Sequence, residues 1–222
     1  MKNNVLLSIL IPTVVGREDS AAALRKKVIE QISGKGSFLL QLASSTPREG
    51  MVGRMELGEV EILDYKDNKE MTIGEKRELL YAAANGLYSL QIDDDDSIAD
   101  DAISLILQAI KENPSVDCIT FRENCMMNGE YKSSNHSLKY DDWADNVDGY
   151  DFVRTPFYKD VIKTEIAKSV PFEKIRYGED HAWARALKPH LKTEYHIDKE
   201  LYYYIYAPKD THEERYGFNR NA

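Results

Sequence analysis

The sequence lacks the features that define several classes of protein. Its 222 residues include only two cysteines, Cys118 and Cys125, which are too few for a disulfide scaffold and too far apart for a CxxC motif. The best apolar stretch, Val5–Ile11, covers seven residues before Pro12 ends it, whereas a membrane-spanning helix needs about 20. No low-complexity tract is present. We therefore expect a soluble, cytoplasmic protein without a membrane span.

The composition is sufficient for one large hydrophobic core. Hydrophobic residues make up 42% of the chain and charged residues 30%, which excludes a disordered protein. The length suits one domain and is short for two. Because no linker or internal repeat interrupts the sequence, we predict that residues 1–222 form a single domain.

Negative charge is concentrated in the middle of the chain. Residues 1–90 contain 12 basic and 12 acidic side chains, residues 91–151 contain 4 and 15, and residues 152–222 contain 13 and 11. A protein that binds the phosphate backbone of nucleic acid needs an excess of positive charge instead. The acidic segment is therefore either a solvated surface or a site for a divalent cation.

The order of apolar and amphipathic segments predicts an α/β fold with a mostly parallel central sheet flanked by helices. Val5–Ile11 is typical of a strand buried on both faces of such a sheet. Thr72–Glu75 has the capping-box pattern of a helix start, and that helix is expected to end near Asn85–Gly86. Ser97–Asp100 is expected to cap another helix. Further strands are predicted at residues 60–63, 87–92 and 117–121, and further helices at 21–32 and 179–187.

Four consecutive aspartates, Asp93–Asp96, follow the predicted strand 87–92. In open α/β sheets, ligands bind beyond the carboxyl ends of the strands, which is where these carboxylates lie. Four adjacent carboxylates repel one another, and a bound cation relieves that repulsion. Mg²⁺ or Mn²⁺ takes carboxylate oxygens and completes its shell with phosphate and water. The pattern favours a metal that bridges the protein to a diphosphate.

A second acidic pair, Glu179 and Asp180, follows Gly178 at the start of a predicted helix. A carboxylate in this position is able to act as a general base if it reaches a substrate hydroxyl. Acidic residues are also common in the first turn of any helix, because they interact favourably with its dipole. The pair by itself leaves both interpretations open.

Four motifs, taken in order, resemble glycosyltransferase family 2, whose members have the GT-A fold. Gly74–Arg77 opens an alanine-rich helix, Gly86–Tyr88 leads into a strand, Asp93–Asp96 follows that strand, and Tyr177–Asp180 comes about eighty residues later. The resemblance extends over residues 5–206. It implies a single Rossmann-like GT-A domain that transfers a sugar from a nucleoside diphosphate sugar, with UDP-sugar favoured, to an acceptor hydroxyl.

The resemblance also implies different roles for the two halves of the chain. Residues 1–96 would form the nucleotide-binding half and residues 97–222 the acceptor-side half. The residues implied to bind the nucleotide sugar are Pro12, Thr13, Arg17, Asp67, Lys76, Arg77 and Asp93. Lys76 and Arg77 would face the diphosphate, and Asp67 would contact the base or the ribose.

The resemblance implies roles in metal binding and catalysis as well. Asp93 and Asp95, together with His212 late in the chain, would bind Mn²⁺ or Mg²⁺. Asp180 would be the catalytic base of an inverting displacement, and Glu179 would place the acceptor or the donor sugar.

Two other functions and two classes of acceptor stay open at the level of sequence. A nucleotidyltransferase on a related fold is disfavoured, because the first loop lacks a glycine-rich basic phosphate cradle. A non-catalytic module stabilised by a cation leaves the positions of Lys76, Arg77, Glu179 and Asp180 unexplained. The acceptor is either a glycan or small molecule, or a hydroxymethylated base in DNA, as the resemblance to compact bacteriophage enzymes implies. The net charge of −9 disfavours DNA.

Overall fold

A computed structural model of the protein describes residues 5–34 and 48–206. Strands and helices alternate through the first half of this part, and strands dominate the second half. The strands are β1 Leu7–Val14, β2 Val52–Leu57, β3 Val60–Asp67, β4 Tyr88–Gln91, β5 Ser97–Ile98, β6 Cys118–Met127, β7 Glu130–His136, β8 Ala144–Val147, β9 Tyr150–Arg154, β10 Val161–Lys163 and β11 Glu194–Tyr206. The helices are α1 Glu18–Ser33, α2 Ile73–Ala83, α3 Ala102–Glu112, α4 Thr164–Ser169 and α5 Glu179–Leu187.

These strands form one mixed sheet with the order β2-β3-β1-β4-β10-β6-β7-β9-β8. β1 pairs in parallel with both β3 and β4, which gives the sheet a parallel centre. The short antiparallel strand β10 then connects β4 to β6. β11 runs parallel to β6 and also pairs with β5. The predicted α/β class is confirmed, and the strands beyond β10 extend the sheet with both parallel and antiparallel pairs.

β1 is longer than predicted, because Pro12 does not end it. The pairing between β1 and β4 stops near Leu10, whose carbonyl accepts the Ile92 N–H at 2.9 Å. Pro12 lies beyond that point and is paired only with β3. The absence of an N–H group in Pro12 therefore costs the sheet no hydrogen bond. As a result β1 carries Pro12 and Thr13 to the edge of the sheet where ligands bind.

Two predicted boundaries are corrected by the sheet. β3 does not stop at residue 63 but continues to Asp67, which stays paired with Val14 of β1. Ser97 does not cap a helix: it belongs to β5 and pairs with Tyr203 of β11. α3 begins at Ala102, and its N-cap residue Asp101 makes no side-chain capping bond. Strand pairing outweighs the local capping pattern here.

The capping box of α2 is confirmed. The Thr72 hydroxyl accepts the Glu75 N–H at 3.2 Å, and the Glu75 carboxylate accepts the Thr72 N–H at 2.8 Å. Gly74, in the first turn of α2, lies directly against the segment before α5. A Cβ at this position would lie 2.1 Å from the Glu173 carbonyl oxygen, so only glycine fits. The start of α2 is thereby held close to α5.

The core consists of two hydrophobic clusters, one on each face of the sheet. α1 and α3 cover one face, and α2, α4 and α5 cover the other. Trp183 of α5 stacks on Phe172 and Tyr81 with ring centroids 4.6 and 5.6 Å apart. Its indole N–H donates to the Val170 carbonyl at 2.8 Å. Trp183 is therefore a core residue that fixes α5 against α2. No helix in the described ranges is long and apolar enough to cross a membrane.

Candidate active site

A cavity of about 650 Å³ opens at the carboxyl ends of β1 and β4. One side is formed by the loops after these strands and by the start of α5, and the other side by β6, β7 and β9. This is the position at which open α/β sheets bind ligands. Most of the residues predicted from the sequence line this single cavity: Pro12, Thr13, Arg17, Lys76, Arg77, Asp93, Asp95, Glu179 and Asp180.

Two predicted site residues, Asp67 and His212, are not among those named above. His212 lies outside the described residues. Asp67 is buried behind the cavity, where its carboxylate pairs with the Lys76 ammonium group. It also accepts the backbone N–H groups of Lys69 and Met71 at 3.2 and 2.9 Å. Asp67 thus holds Lys76 and shapes the loop before α2, and its contact with a base or ribose stays a prediction.

Arg77 links the two acidic motifs. Its guanidinium donates two hydrogen bonds to the carboxylate of Asp93, at 2.8 and 3.2 Å, and its Nε donates to Glu179 at 3.2 Å. The guanidinium carbon lies 3.5 Å from the ring centroid of Tyr158, whose hydroxyl donates to Asp93 at 2.8 Å. A planar fork of this kind suits bidentate recognition of a carboxylate. The partners of this buried side chain are thus protein groups, and its predicted contact with a diphosphate stays untested.

The two carboxylates that share Arg77 differ in their ionisation. Burial opposes ionisation of Asp93, but the charge and the hydrogen bonds of Arg77 lower its pKa below the usual range. Burial raises the pKa of Glu179 to about 7, since Arg77 offsets only part of this effect. Neighbouring acids with separated pKa values are a common basis for separate acid and base roles. Near neutral pH, Glu179 is able to donate a hydrogen bond, whereas Asp93 only accepts.

The raised pKa of Glu179 makes a prediction about stability. Glu179 is buried, and its pKa in the folded protein lies above the ordinary value of 4.5 for a glutamate. The folded protein therefore holds an extra proton between about pH 4.5 and 7, and its stability falls as the pH rises through that range. Glu179→Gln should lack this slope, which amounts to about 3 kcal/mol in total. Urea unfolding at pH 4.5, 6 and 8 measures it, and identical pH profiles would contradict the assignment.

The four aspartates after β4 have separate environments. Asp94 and Asp95 both accept hydrogen bonds from the Arg17 guanidinium, at 3.0 and 2.8 Å. Asp96 faces away from the cavity and accepts from the Tyr202 hydroxyl and the Ile205 N–H of β11, at 2.7 and 3.1 Å. Burial raises the pKa of Asp94 and of Asp96 to about 7. Part of the repulsion expected among the four carboxylates is therefore relieved by the positive charges of Arg17 and Arg77 and by protonation of Asp94 and Asp96.

The acidic loop also offers oxygen atoms to a cation. The second carboxylate oxygen of Asp94 is buried and has no hydrogen-bond partner in the described structure. The Asp95 side chain is 32% exposed and borders the cavity. Within residues 5–34 and 48–206, however, no three His, Cys, Asp or Glu side chains converge on one point. This donor set fits a cation that also takes phosphate oxygens and water, and it does not form a closed protein cage.

Asp180 lies in the first turn of α5 and lines the cavity. The turn is entered through Gly178, whose φ of +82° is in the left-handed region that glycine adopts without strain. One Asp180 carboxylate oxygen accepts the His181 N–H at 2.7 Å. The other has no further hydrogen bond in the described structure. His181 in turn contacts Asp142 at 2.7 Å, which holds the turn in place.

Sequence reasoning missed the opposite side of the cavity. Ser134, Phe152 and Arg154 line it from β7 and β9, which the sequence analysis did not predict, and Glu123 lies on the part of β6 beyond the predicted strand 117–121. It also missed Tyr158, because an isolated tyrosine gives no sequence signal. The sequence signals that could have indicated these strands are the dipeptides Asn128–Gly129 and Asp148–Gly149, which have positive φ and join β6 to β7 and β8 to β9.

The central parallel strands, the acidic loop after β4 and the strands β6, β7 and β9 across the cavity together define a GT-A-type fold. Solved structures show the same architecture. The chain is similar to S. aureus TarS in complex with UDP-GlcNAc, at 14% sequence identity and a TM-score of 0.61, over 93% of this chain and 60% of that one. The complex of TarS with UDP gives a TM-score of 0.59 at 14% identity, over 92% of this chain and 61% of that one.

The chain covers a smaller share of another TarS crystal structure. There the TM-score is 0.59 at 14% identity, over 92% of this chain and 37% of TarS. This chain thus spans less than two thirds of the length of the proteins it resembles. No protein-family model and no curated protein matches the sequence. At this level of identity the likeness establishes the fold.

Proposed function

We propose that the protein is a glycosyltransferase that moves a sugar from a nucleoside diphosphate sugar, with UDP-sugar favoured, to an acceptor hydroxyl. The observation that carries the proposal is the single cavity shared by the acidic loop after β4 and by Asp180 at the start of α5. The similar TarS structures contain UDP and UDP-GlcNAc, which supports a uridine nucleotide as the donor.

The donor is proposed to bind at the carboxyl ends of β1 and β4. Pro12 and Thr13 would border the base, and the buried Thr13 hydroxyl has no partner in the described structure. Lys69 and Arg176 also line the cavity, and Arg176 donates to the Lys69 carbonyl at 3.1 Å. Neither cation has a carboxylate within 4.0 Å among the described residues, so both are available to the diphosphate. They add positive charge beside Lys76, whose ammonium group is already paired with the Asp67 carboxylate.

The proposed reaction is a single in-line displacement. The acceptor oxygen forms a bond to the anomeric carbon while the bond from that carbon to the diphosphate oxygen breaks. Asp180 takes the acceptor proton through its uncommitted oxygen. Glu179 and Asp93 stay fixed by Arg77, which keeps the acidic loop and the start of α5 in a constant arrangement. Attack from the side opposite to the leaving group inverts the configuration.

Asp95 and the free oxygen of Asp94 are the proposed protein ligands of Mn²⁺ or Mg²⁺. Asp93 and His212 were also expected as ligands. Asp93 already binds Arg77 and Tyr158 through both of its oxygens, which makes it a poorer candidate. When bound, the cation would stabilise negative charge on the leaving diphosphate. Arg17 contacts the same two carboxylates and would have to move or share them.

Calorimetry with UDP tests this proposal. We expect UDP to bind more tightly with Mn²⁺ than with EDTA, and we expect Asp95→Ala to abolish that difference without unfolding the protein. Asp100→Ala is the matched control, because Asp100 is fully exposed a few residues further on. Equal affinity of the wild type for UDP with Mn²⁺ and with EDTA would remove the metal from the proposal. If the wild type binds no nucleoside diphosphate under either condition, the proposal that the protein is a glycosyltransferase is overturned.

A further inference from the structure

The acidic loop after β4 contacts two arginines that differ in exposure. Arg77 of α2 pairs with Asp93, and its side chain is 4% exposed. Arg17, in the turn between β1 and α1, pairs with Asp94 and Asp95, and its side chain is 35% exposed. Both arginines line the cavity. Arg77 is therefore enclosed by protein, whereas about a third of the Arg17 side chain borders solvent.

A single nitrogen atom of Arg17 bridges two carboxylates. Its Nη1 donates to Asp94 Oδ1 at 3.0 Å and to Asp95 Oδ2 at 2.8 Å. These two residues are also the proposed protein ligands of the divalent cation, and Mg²⁺ needs carboxylate oxygens at about 2.1 Å. A cation on either carboxylate would lie close to the guanidinium, and like charges about 4 Å apart repel strongly in a partly buried site. Arg17 and the cation therefore compete for the same pair of carboxylates.

The outer aspartates of the loop are held by buried cations. Asp93 pairs with Arg77, and Asp96 pairs with Lys159 at 3.5 Å. These two basic side chains are only 4% and 6% exposed. The inner pair of aspartates is held by the more exposed Arg17. Displacement of Arg17 would therefore release the inner carboxylates to a cation while the outer ones keep the loop in place.

The backbone around Arg17 is fixed, so that only its side chain has to move. The Arg17 N–H donates to the Val14 carbonyl at 3.1 Å, and the Arg17 carbonyl accepts the Ala21 N–H at 3.1 Å. Gly16, whose φ is +94°, donates its N–H to the Glu18 carboxylate at 2.8 Å. Rotation about the side-chain bonds of Arg17 is enough to withdraw the guanidinium into solvent. Because partly exposed ion pairs are weak, a divalent cation and a diphosphate together are able to displace it.

We propose that Arg17 holds the cation site closed while no donor is bound, and that it leaves when a divalent cation enters with a nucleoside diphosphate. The diphosphate supplies anionic oxygens to which the guanidinium is able to donate in place of the two carboxylates. The cation consequently binds well with the donor and poorly before it. This inference rests on the proposed function for its donor. It adds a residue that sets how strongly metal binding depends on the nucleotide.

Mn²⁺ binding in the absence of nucleotide tests the proposal, with free Mn²⁺ measured by electron paramagnetic resonance. We expect Arg17→Gln to bind Mn²⁺ about tenfold more tightly than the wild type, because the cation no longer has to break two ion pairs. Replacement of Asp95 by alanine in the same variant should remove this gain. UDP should raise the Mn²⁺ affinity of the wild type more than that of Arg17→Gln. By linkage, Mn²⁺ should raise the UDP affinity of each protein by the same factor.

Lys27→Gln is the matched control. Lys27 of α1 is 28% exposed and pairs with Asp100, shortly after the acidic loop. Its replacement removes the same charge, so its Mn²⁺ affinity measures the general electrostatic effect and should stay close to that of the wild type. The proposal is overturned if Arg17→Gln binds Mn²⁺ no more tightly than Lys27→Gln does. It is also overturned if the gain persists when Asp95 is replaced.

UDP binding in EDTA separates this inference from the proposed function. If UDP binds but Arg17→Gln leaves the Mn²⁺ affinity unchanged, the role of Arg17 is wrong and the glycosyltransferase proposal stands. If Arg17→Gln tightens Mn²⁺ binding but no nucleoside diphosphate binds with or without Mn²⁺, Arg17 still competes with the cation and the proposed donor is wrong.

Discussion

Asp180→Asn is expected to lower the rate of sugar transfer by about 10²–10⁴-fold, the usual contribution of a general base. The carboxylate borders the cavity, and one oxygen is held by the His181 N–H, which leaves the other for the acceptor hydroxyl. Asparagine keeps the shape and the hydrogen bond to His181 but is not able to take a proton. We therefore expect kcat to fall while the affinity for UDP and the stability change little. Steady-state transfer assays and UDP calorimetry measure the two quantities separately.

Glu179→Gln is the control for this result. Glu179 is the neighbouring acid, but its carboxyl is held by Arg77 and its pKa is raised to about 7 by burial. Its replacement should affect KM more than kcat, because it positions groups and does not take the proton. If Asp180→Asn transfers sugar with a kcat near that of the wild type, the base is another residue. A large fall in kcat for Glu179→Gln alone would assign the role to Glu179.

Arg77→Ala is expected to destabilise the protein by about 3–5 kcal/mol, the usual cost of breaking a buried ion pair by removing one partner. The change removes the cation that Asp93 and Glu179 share and leaves the buried carboxylate of Glu179 and the half-buried carboxylate of Asp93 without it. Because the substitution removes the link between the acidic loop and α5, it should also abolish sugar transfer. Urea denaturation gives the free energy of unfolding.

Lys111→Ala is the comparison for Arg77→Ala. Lys111 also pairs with a carboxylate, that of Glu59 at 2.6 Å, but its side chain is 52% exposed. An exposed pair contributes about 0–1 kcal/mol, so this variant should stay close to the wild type. If Arg77→Ala costs no more than Lys111→Ala, Arg77 is not the structural link between the two acidic motifs. Its predicted role at the diphosphate would then become the better explanation.

The parts of the fold and site that sequence reasoning predicted depend on local patterns. The capping box at Thr72 and Glu75 needs only residues three apart, and the structure forms it as expected. The ligand-binding edge of the sheet follows from strands that end in polar residues, which is why Asp93 and Thr13 line the cavity. Gly178 signalled a turn into α5, and it has the positive φ that such a turn requires.

The missed features depend on contacts that are distant in sequence. Arg77 and Glu179 are 102 residues apart, so no local pattern indicates that they form a pair. No local pattern indicates that Ser97 joins a strand, because its strand-pairing partner Tyr203 lies near the end of the described chain. Short antiparallel strands such as β8 and β9 carry too few residues for a clear alternation of polar and apolar side chains.

The position of β10 in the sheet has a consequence for the cooperativity of folding. β4 carries the acidic loop at its end, and its outer edge is covered by β10, three residues that come from the second half of the chain. A fragment that ends at residue 96 would therefore expose the backbone donors and acceptors of a central strand, and such an edge recruits other chains. We therefore expect the described residues on either side of position 96 to unfold together, and the edge of the sheet that carries Asp93 to become rigid only when β10 has paired with β4.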